Sequence, residues 1–538
     1  MLTPSRDTRR TDQVQRPTSN VQIRSRSDAS RRFGPWPLGL GLWTFLLFAS
    51  AFSAAAAPFP TNAIPTLAAL RSNLTARVEH PRLAAAQLGV KVVSLDTGKT
   101  LFEHDAGKLL KPASNAKLYT GALALDRLGP QFRIRTSCYA AAKPDANGTL
   151  TGDLTIYGRG DFSMAARFHG GDYTKSLEPL VDALAAAGIK RITGDLVGDE
   201  SFFRGPPYGS AWTWDDLNYY YGAEVSALTH EDNVVDLVFK PAALGQPVTF
   251  TAKPATQFLK FINRTTTVAS GGKRSIELYR PLAQNNVYLH GSLPADDKGL
   301  TDAMPVPHPA EWFLMQLIEA LAKRGIHADG KWRTRNWLDA EAAPVDYGRQ
   351  VEVAFTESRP VSELVEKMMK PSQNLYAQLL LLQVGARTAK PGQTTEEAGL
   401  AEMQKFLAEA GVKRGSVLLE EGSGLSRGCL LMPEATVQLL RHMDTHPAAA
   451  AYRASLPIAG VDGSLKSRFT GTAAARNLLA KTGSLRYVSS LSGHVTTAAK
   501  ERLVFSIMLN AYTGTAVSSR EVIDELAVLL ANFSGKSQ

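Results

Sequence analysis

The chain has 538 residues, too many for one simple core, so two or three domains are expected. With 44% hydrophobic and 20% charged residues, its composition is that of a soluble globular protein. Of the net charge of +10, eight Arg and three Asp put +5 into residues 1–57 and leave +5 for the rest, so the bulk is only mildly basic. That balance suits a wall polymer or lipid surface as a peripheral partner, and equally suits neither. No Lys/Arg-rich run interleaved with aromatics occurs, which argues against nucleic acid.

Arg31 and Arg32 precede the run LGLGLWTFLLFASAFSAAAA and then Pro58. Basic, apolar and small-residue stretches in that order predict an export signal cut near Ala56 or Ala57, and hence a periplasmic protein. An uncleaved anchor is the alternative, because the run from Leu38 approaches spanning length. The two cysteines, Cys138 and Cys429, fall in different predicted domains and are expected to be free.

Residues 90–106 predict two strands joined at Asp96-Thr97-Gly98. Leu118, Ala122, Leu125 and Leu128 then recur at helical spacing, giving a helix with one buried face that Gly129-Pro130 stops. From Phe132 to about Pro344 short strands alternate with Gly and Asp turns. A helix over 174–188 interrupts them, and an amphipathic helix starts at Ala310. GDL occurs at Gly152 and at Gly194, each time before a short apolar strand, and reads as hairpin similarity rather than a true repeat. Helices return over 361–370 and 372–386; strands follow over 477–485 and 489–512, and a last helix over 519–533. A strand pair and helix in front, with three strands and a helix behind, predict one mixed α/β domain built from both ends of the chain. Its parts are 58–130 and 346–538, split by a β-rich insert over 131–345. Within the insert two subdomains are expected, about 131–155 with 235–345, and 156–234.

Ser114 and Lys117 sit three residues apart at the front of the first motif helix and therefore share a face. A serine hydroxyl attacks well only if a neighbour takes its proton, and a desolvated lysine can do so. On this motif alone an N-terminal cap beside a solvated lysine is the favoured reading. A second SxxK, Ser270 to Lys273, encloses two glycines that break a helix. Ser372-Gln373-Asn374 is the only SxN and opens a helix after Pro371; capping again explains it locally. Lys481-Thr482-Gly483 is the only KTG and lies on a late strand, where a glycine permits close approach of another backbone. Each motif alone is weak, but the ordered set in fitting contexts is strong. His230-Glu231-Asp232 has no second ligand cluster and no HExxH occurs, so a solvated turn is expected there and neither metal nor cofactor is called for.

Ser114/Lys117, Ser372/Asn374 and Lys481-Thr482-Gly483 together resemble the motif set of penicillin-binding proteins and serine β-lactamases. GDLTIYGRGD, LEEGSGLSR, LPIAGVDGSLKSRF and KTGSL narrow this to a likeness with the class C type-4 penicillin-binding proteins, peptidase family S13. The resemblance implies a penicillin-recognising transpeptidase/β-lactamase-like fold with a large insert between the first two motifs. It also implies D-alanyl-D-alanine carboxypeptidase and endopeptidase activity on peptidoglycan stem peptides, with β-lactams as inhibitors. Ser114 is then the nucleophile and Lys117 its proton acceptor. Ser372 passes the proton to the leaving amine, and Asn374 holds the substrate amide or steadies Lys117. Lys481 and Thr482 bind the terminal carboxylate beside Gly483, and the backbone N–H groups of Ser114 and Ser484 cradle the oxyanion.

In WTWDDLNYYYG the resemblance marks Trp212 and Asp215, with Asp216 and Tyr220 after them, as a grip for a diaminopimelate-type side chain; a surface turn packed on the core is the alternative. Glu421 stands where an aspartate is common and Arg159 inside a usually glycine-rich turn, and neither departure is expected to touch the chemistry. A β-lactamase and a non-catalytic wall-binding module are the rival functions.

Overall fold

In the computed structural model residues 62–513 and 519–537 are described; the leader, its cleavage point and the anchor alternative fall outside them. Among the described residues no helix is long and apolar enough to cross a membrane.

Both ends of the chain meet in one five-stranded antiparallel sheet, ordered Leu479–Leu485, Val488–Thr496, Arg502–Asn510, Gln87–Ser94 and Thr100–His104. The front hairpin joins the back through the pairing of Gln87 with Asn510 on through Ser94 with Leu503. Side chains alternate across a strand, so Gln87–Ser94 and Arg502–Asn510 each feed two cores. Val90 and Val92, with Phe505, Ile507 and Leu509, pack under the terminal helices Leu67–Val78 and Ser519–Ala531. Val93, Val504 and Met508 point the other way, into a core shared with the helices Ala116–Arg127, Val361–Met369, Asn374–Thr388 and Pro433–Thr445. The second core carries the motif helices. Leu118, Leu123, Val365, Leu379 and Leu380 are all fully buried there, and shortening one such side chain to alanine costs about 2–5 kcal/mol in general.

The insert leaves after the SxxK helix and is layered rather than purely β. Its five-stranded sheet runs Trp332–Arg335, Leu196–Asp199, Leu154–Tyr157, Arg135–Ala140, Val351–Glu357, and the helices Glu178–Ala186 and Pro309–Lys323 share its core. The two GDL segments are not hairpin partners. Leu154–Tyr157 and Leu196–Asp199 pair parallel and in register, joined by the helix Glu178–Ala186, and Trp332–Arg335 continues the parallel set. Glycine is required where these loops stack. Gly194 N–H donates to Gly152 O at 2.9 Å and Gly330 N–H to Gly194 O at 3.2 Å, and a Cβ on Gly194 or Gly330 would overlap the backbone beneath it. The insert also holds two three-stranded sheets, one containing Val234–Lys240 and the other Lys260–Val268.

Cys138 and Cys429 are free and buried. Ser270 and Lys273 are exposed, beside a glycine in left-handed backbone, Gly271. The expected solvated turn at His230-Glu231-Asp232 is instead buried, at 2%, 6% and 5% exposure. Left-handed backbone at Glu231, Asp232 and Asn233 folds this polar string inward, where hydrogen bonds satisfy it.

Candidate active site

The SxxK pair sits where a one-turn 3-10 segment, Ala113–Asn115, runs into the helix Ala116–Arg127. Ala113 holds φ +47°, an uncommon backbone for alanine that surrounding contacts must maintain. Those contacts come from two glycines. A Cβ on Gly483 of the KTG strand would overlap Ser490 Oγ and the carbonyl oxygen of Pro112, and one on Gly424 would overlap the carbonyl oxygen of Ala113. The three segments therefore close to backbone contact because glycine lets them.

Ser114 is partly exposed and Lys117 fully buried. Lys117 Nζ lies 3.0 Å from Ser114 Oγ, 2.6 Å from Asn374 Oδ1 and 2.8 Å from the carbonyl oxygen of Ser423. Burial pulls the Lys117 ammonium down to about 7, against the opposing pull of Glu421 and Cys429. Lys481 is also fully buried, and its Nζ donates to Ser372 Oγ at 2.7 Å and to the carbonyl of Thr482 at 2.8 Å. Burial, with the charge of Lys117 second, holds Lys481 well below the usual lysine range. Ser372 carries φ +66° and stands one residue before Gln373, the N-cap of the helix Asn374–Thr388. Thr482 Oγ1 lies 2.7 Å from Ser464 Oγ, Gly483 is buried and Ser484 is exposed at the edge of the strand. All three motifs thus converge on one pocket.

The aromatic segment reaches this pocket by a residue not singled out in the sequence. The carbonyl of Tyr221 accepts from Asn374 Nδ2 at 2.9 Å. Trp212 is partly buried against the helical core, Asp215 is exposed and Tyr220 is 42% exposed. Asp216 is buried and engaged: it accepts from Thr213 N–H at 3.0 Å and Thr213 Oγ1 at 2.6 Å, and pairs with Arg427 at 3.5 Å.

Glu421 corrects the expectation that it stands apart from the chemistry. Fully buried, it accepts from the N–H groups of Ser423 at 2.7 Å and Gly424 at 2.5 Å, shaping the loop whose carbonyl faces Lys117. Arg159 stays structural, donating to the carbonyl of Arg135 at 2.9 Å and to Ser137 Oγ at 2.8 Å. Of the groups the sequence left unmarked, Ser464 lay within the quoted stretch LPIAGVDGSLKSRF, while the carbonyls of Tyr221 and Ser423 carry no side-chain signal at all.

Comparison with known proteins agrees with this geometry. The model of the D-Ala-D-Ala carboxypeptidase 3 (S13) family matches residues 70–533. The chain belongs to the S13 D-Ala-D-Ala carboxypeptidase family. It is 34% identical over 480 residues to the D-alanyl-D-alanine carboxypeptidase of Actinomadura sp. (strain R39), covering 87% of this chain and 86% of that protein. It is 26% identical over 462 residues to the D-alanyl-D-alanine carboxypeptidase DacB of Haemophilus influenzae, covering 85% and 91%. The crystal structure of penicillin binding protein 4 from H. influenzae superposes with a TM-score of 0.71 at 25% identity, covering 86% of this chain and 98% of that one. That Haemophilus protein has also been solved with a β-lactam bound. The S13 chain described here is accordingly a serine-type D-Ala-D-Ala carboxypeptidase with the penicillin-binding fold.

Proposed function

We propose that this S13 enzyme cleaves peptidoglycan stem peptides ending in D-Ala-D-Ala through an acyl-enzyme at Ser114, and that the same site reacts with β-lactams. The observation that carries the reading is the hydrogen bonding of Lys117. A neutral lysine amine has two N–H bonds and one lone pair. Asn374 Oδ1 and the Ser423 carbonyl can only accept, so they take the two N–H bonds. The lone pair is left for Ser114 Oγ, and the amine draws off its proton as the hydroxyl attacks the penultimate D-alanine carbonyl.

Lys481 donates to Ser372, whose hydroxyl hands a proton to the departing D-alanine amine. With Lys117 neutral, Lys481 and Thr482 bind the substrate's terminal carboxylate beside Gly483. Backbone N–H groups of Ser114 and Ser484 supply the oxyanion hole, each such donor being worth about 3 kcal/mol in general. Water then releases the acyl group. Trp212, Asp215 and Tyr220 grip the side-chain end of the stem peptide, with Asp215 the free carboxylate, because Asp216 is engaged by Thr213 and Arg427.

The reading extends to the cell. The leader 1–57 exports the protein to the periplasm, cleavage falls near Ala56 or Ala57, and the mature enzyme works against the wall or membrane surface. The catalytic domain comprises 58–130 and 346–538, and the insert 131–345, to which the returning strand Val351–Glu357 adds. One assay tests the function: label the enzyme with a fluorescent penicillin, then follow D-alanine release from a pentapeptide. Long-lived label with D-alanine release supports the peptidase. Fast loss of label with penicillin consumed indicates a β-lactamase, and absence of label a non-catalytic binder.

A further inference from the structure

Asp232 lies in the insert, away from Ser114, yet it touches the Ser372–Asn374 motif. It is the middle of three successive non-glycine residues in left-handed backbone, at φ +45°, +56° and +54° for Glu231, Asp232 and Asn233. Such a run persists only where neighbours over-determine it. Here Asn233 Oδ1 accepts from His230 N–H at 3.2 Å, Asn233 Nδ2 donates to the carbonyl of Glu224 at 2.8 Å, and Glu231 accepts from Ala166 N–H at 2.9 Å and from the Ser176 hydroxyl.

The loop presents the buried Asp232 carboxylate to the start of the helix Asn374–Thr388. One oxygen accepts from the Tyr376 hydroxyl. The other accepts from Arg167 and, at 3.4 Å, from Nε2 of Gln373, the residue between Ser372 and Asn374. Tyr376 is fully buried and stacks on Phe162 of the insert at 4.1 Å. Asn374 makes its own link to the insert, through the Tyr221 carbonyl. The Asn233–Glu224 hydrogen bond ties these insert segments together, so they grip the motif as one body.

Ser372, at φ +66°, needs such a grip to keep its hydroxyl on Lys481. We infer that Asp232 is a positioning residue of the acyl-transfer site, holding the strained Ser372–Asn374 turn through Gln373 and Tyr376. The insert is thereby part of the catalytic apparatus rather than an accessory beside it. This rests on the acyl-transfer reading: penicillin labelling of the parent enzyme tests that reading, and only the ratios between variants test the inference.

The experiment is a coupling measurement on the whole chain, reading penicillin acylation and pentapeptide kcat and KM. Asp232→Asn should lower kcat about 10- to 100-fold with KM within about twofold, as expected for a small misplacement of reacting groups. In a Ser372→Ala, Asn374→Ala background, acylation should fall by no more than about twofold on adding Asp232→Asn, because nothing remains to be positioned. The same fold-loss in both backgrounds, or a raised KM at unchanged kcat, overturns the inference. Tyr376→Phe removes the link from the other side without adding a polar group, and decides the matter by the same criteria if Asp232→Asn does not fold.

Discussion

Lys117 Nζ lies 2.6 Å from Asn374 Oδ1 across 257 residues of sequence, and the Tyr221 carbonyl fixes that amide from its far side. With Nδ2 committed to an acceptor, the amide oxygen must face the lysine. Asn374→Asp replaces that neutral acceptor with a carboxylate, which favours the ammonium form of Lys117. Acylation by fluorescent penicillin near neutral pH should fall at least about 100-fold, and its rising limb should move to higher pH.

The pH profile of the parent enzyme follows from the same lysine. Below its value of about 7 Lys117 is protonated and has no lone pair for Ser114; above it the amine is free. The acylation rate should therefore rise with pH through about 7. Stopped-flow labelling between about pH 5 and 9 checks this, and a flat profile speaks against Lys117 as the base.

Removing the Glu421 charge acts on this limb in the opposite sense to Asn374→Asp. Its charge favours the Lys117 ammonium, so Glu421→Gln should move the rising limb to lower pH. The same change weakens the buried carboxylate's hydrogen bonds to Ser423 and Gly424, and denaturant unfolding should show a loss of about 1–3 kcal/mol.

Gly483→Ala tests the backbone contact between motifs. The added methyl meets Ser490 Oγ and the Pro112 carbonyl, so the KTG strand must move away from Ser114. Labelling should drop about 100-fold while unfolding free energy falls by about 1–3 kcal/mol, which thermal and denaturant melts measure.

Asp215→Asn addresses substrate choice. For a pentapeptide whose side chain ends in an ammonium group, KM should rise about tenfold, while penicillin acylation, which uses no such group, stays unchanged. Equal effects on both substrates would remove Asp215 from the proposed grip.

The catalytic domain was legible because its signals are local. Apolar spacing marked the helix after Ser114, the turn residues marked the hairpin at Asp96–Gly98, and three short motifs occurred in order. What escaped were features set by folding at a distance. Tyr221 and Ser423 contribute backbone carbonyls, which any residue supplies. His230, Glu231 and Asp232 read as a solvated turn by polarity, and only partners such as Ala166, Arg167 and Tyr376 make their burial tolerable. The helix between the two GDL segments was legible, but they looked like hairpins because nothing local shows that this helix carries the chain back to pair them in parallel.

The most direct measurement is to label the full-length protein with penicillin, digest it and locate the adduct by mass spectrometry. A single acyl group is expected on the peptide carrying Ser114, and none in Ser114→Ala. Adduct on any other residue, or labelling that survives that substitution, would contradict it.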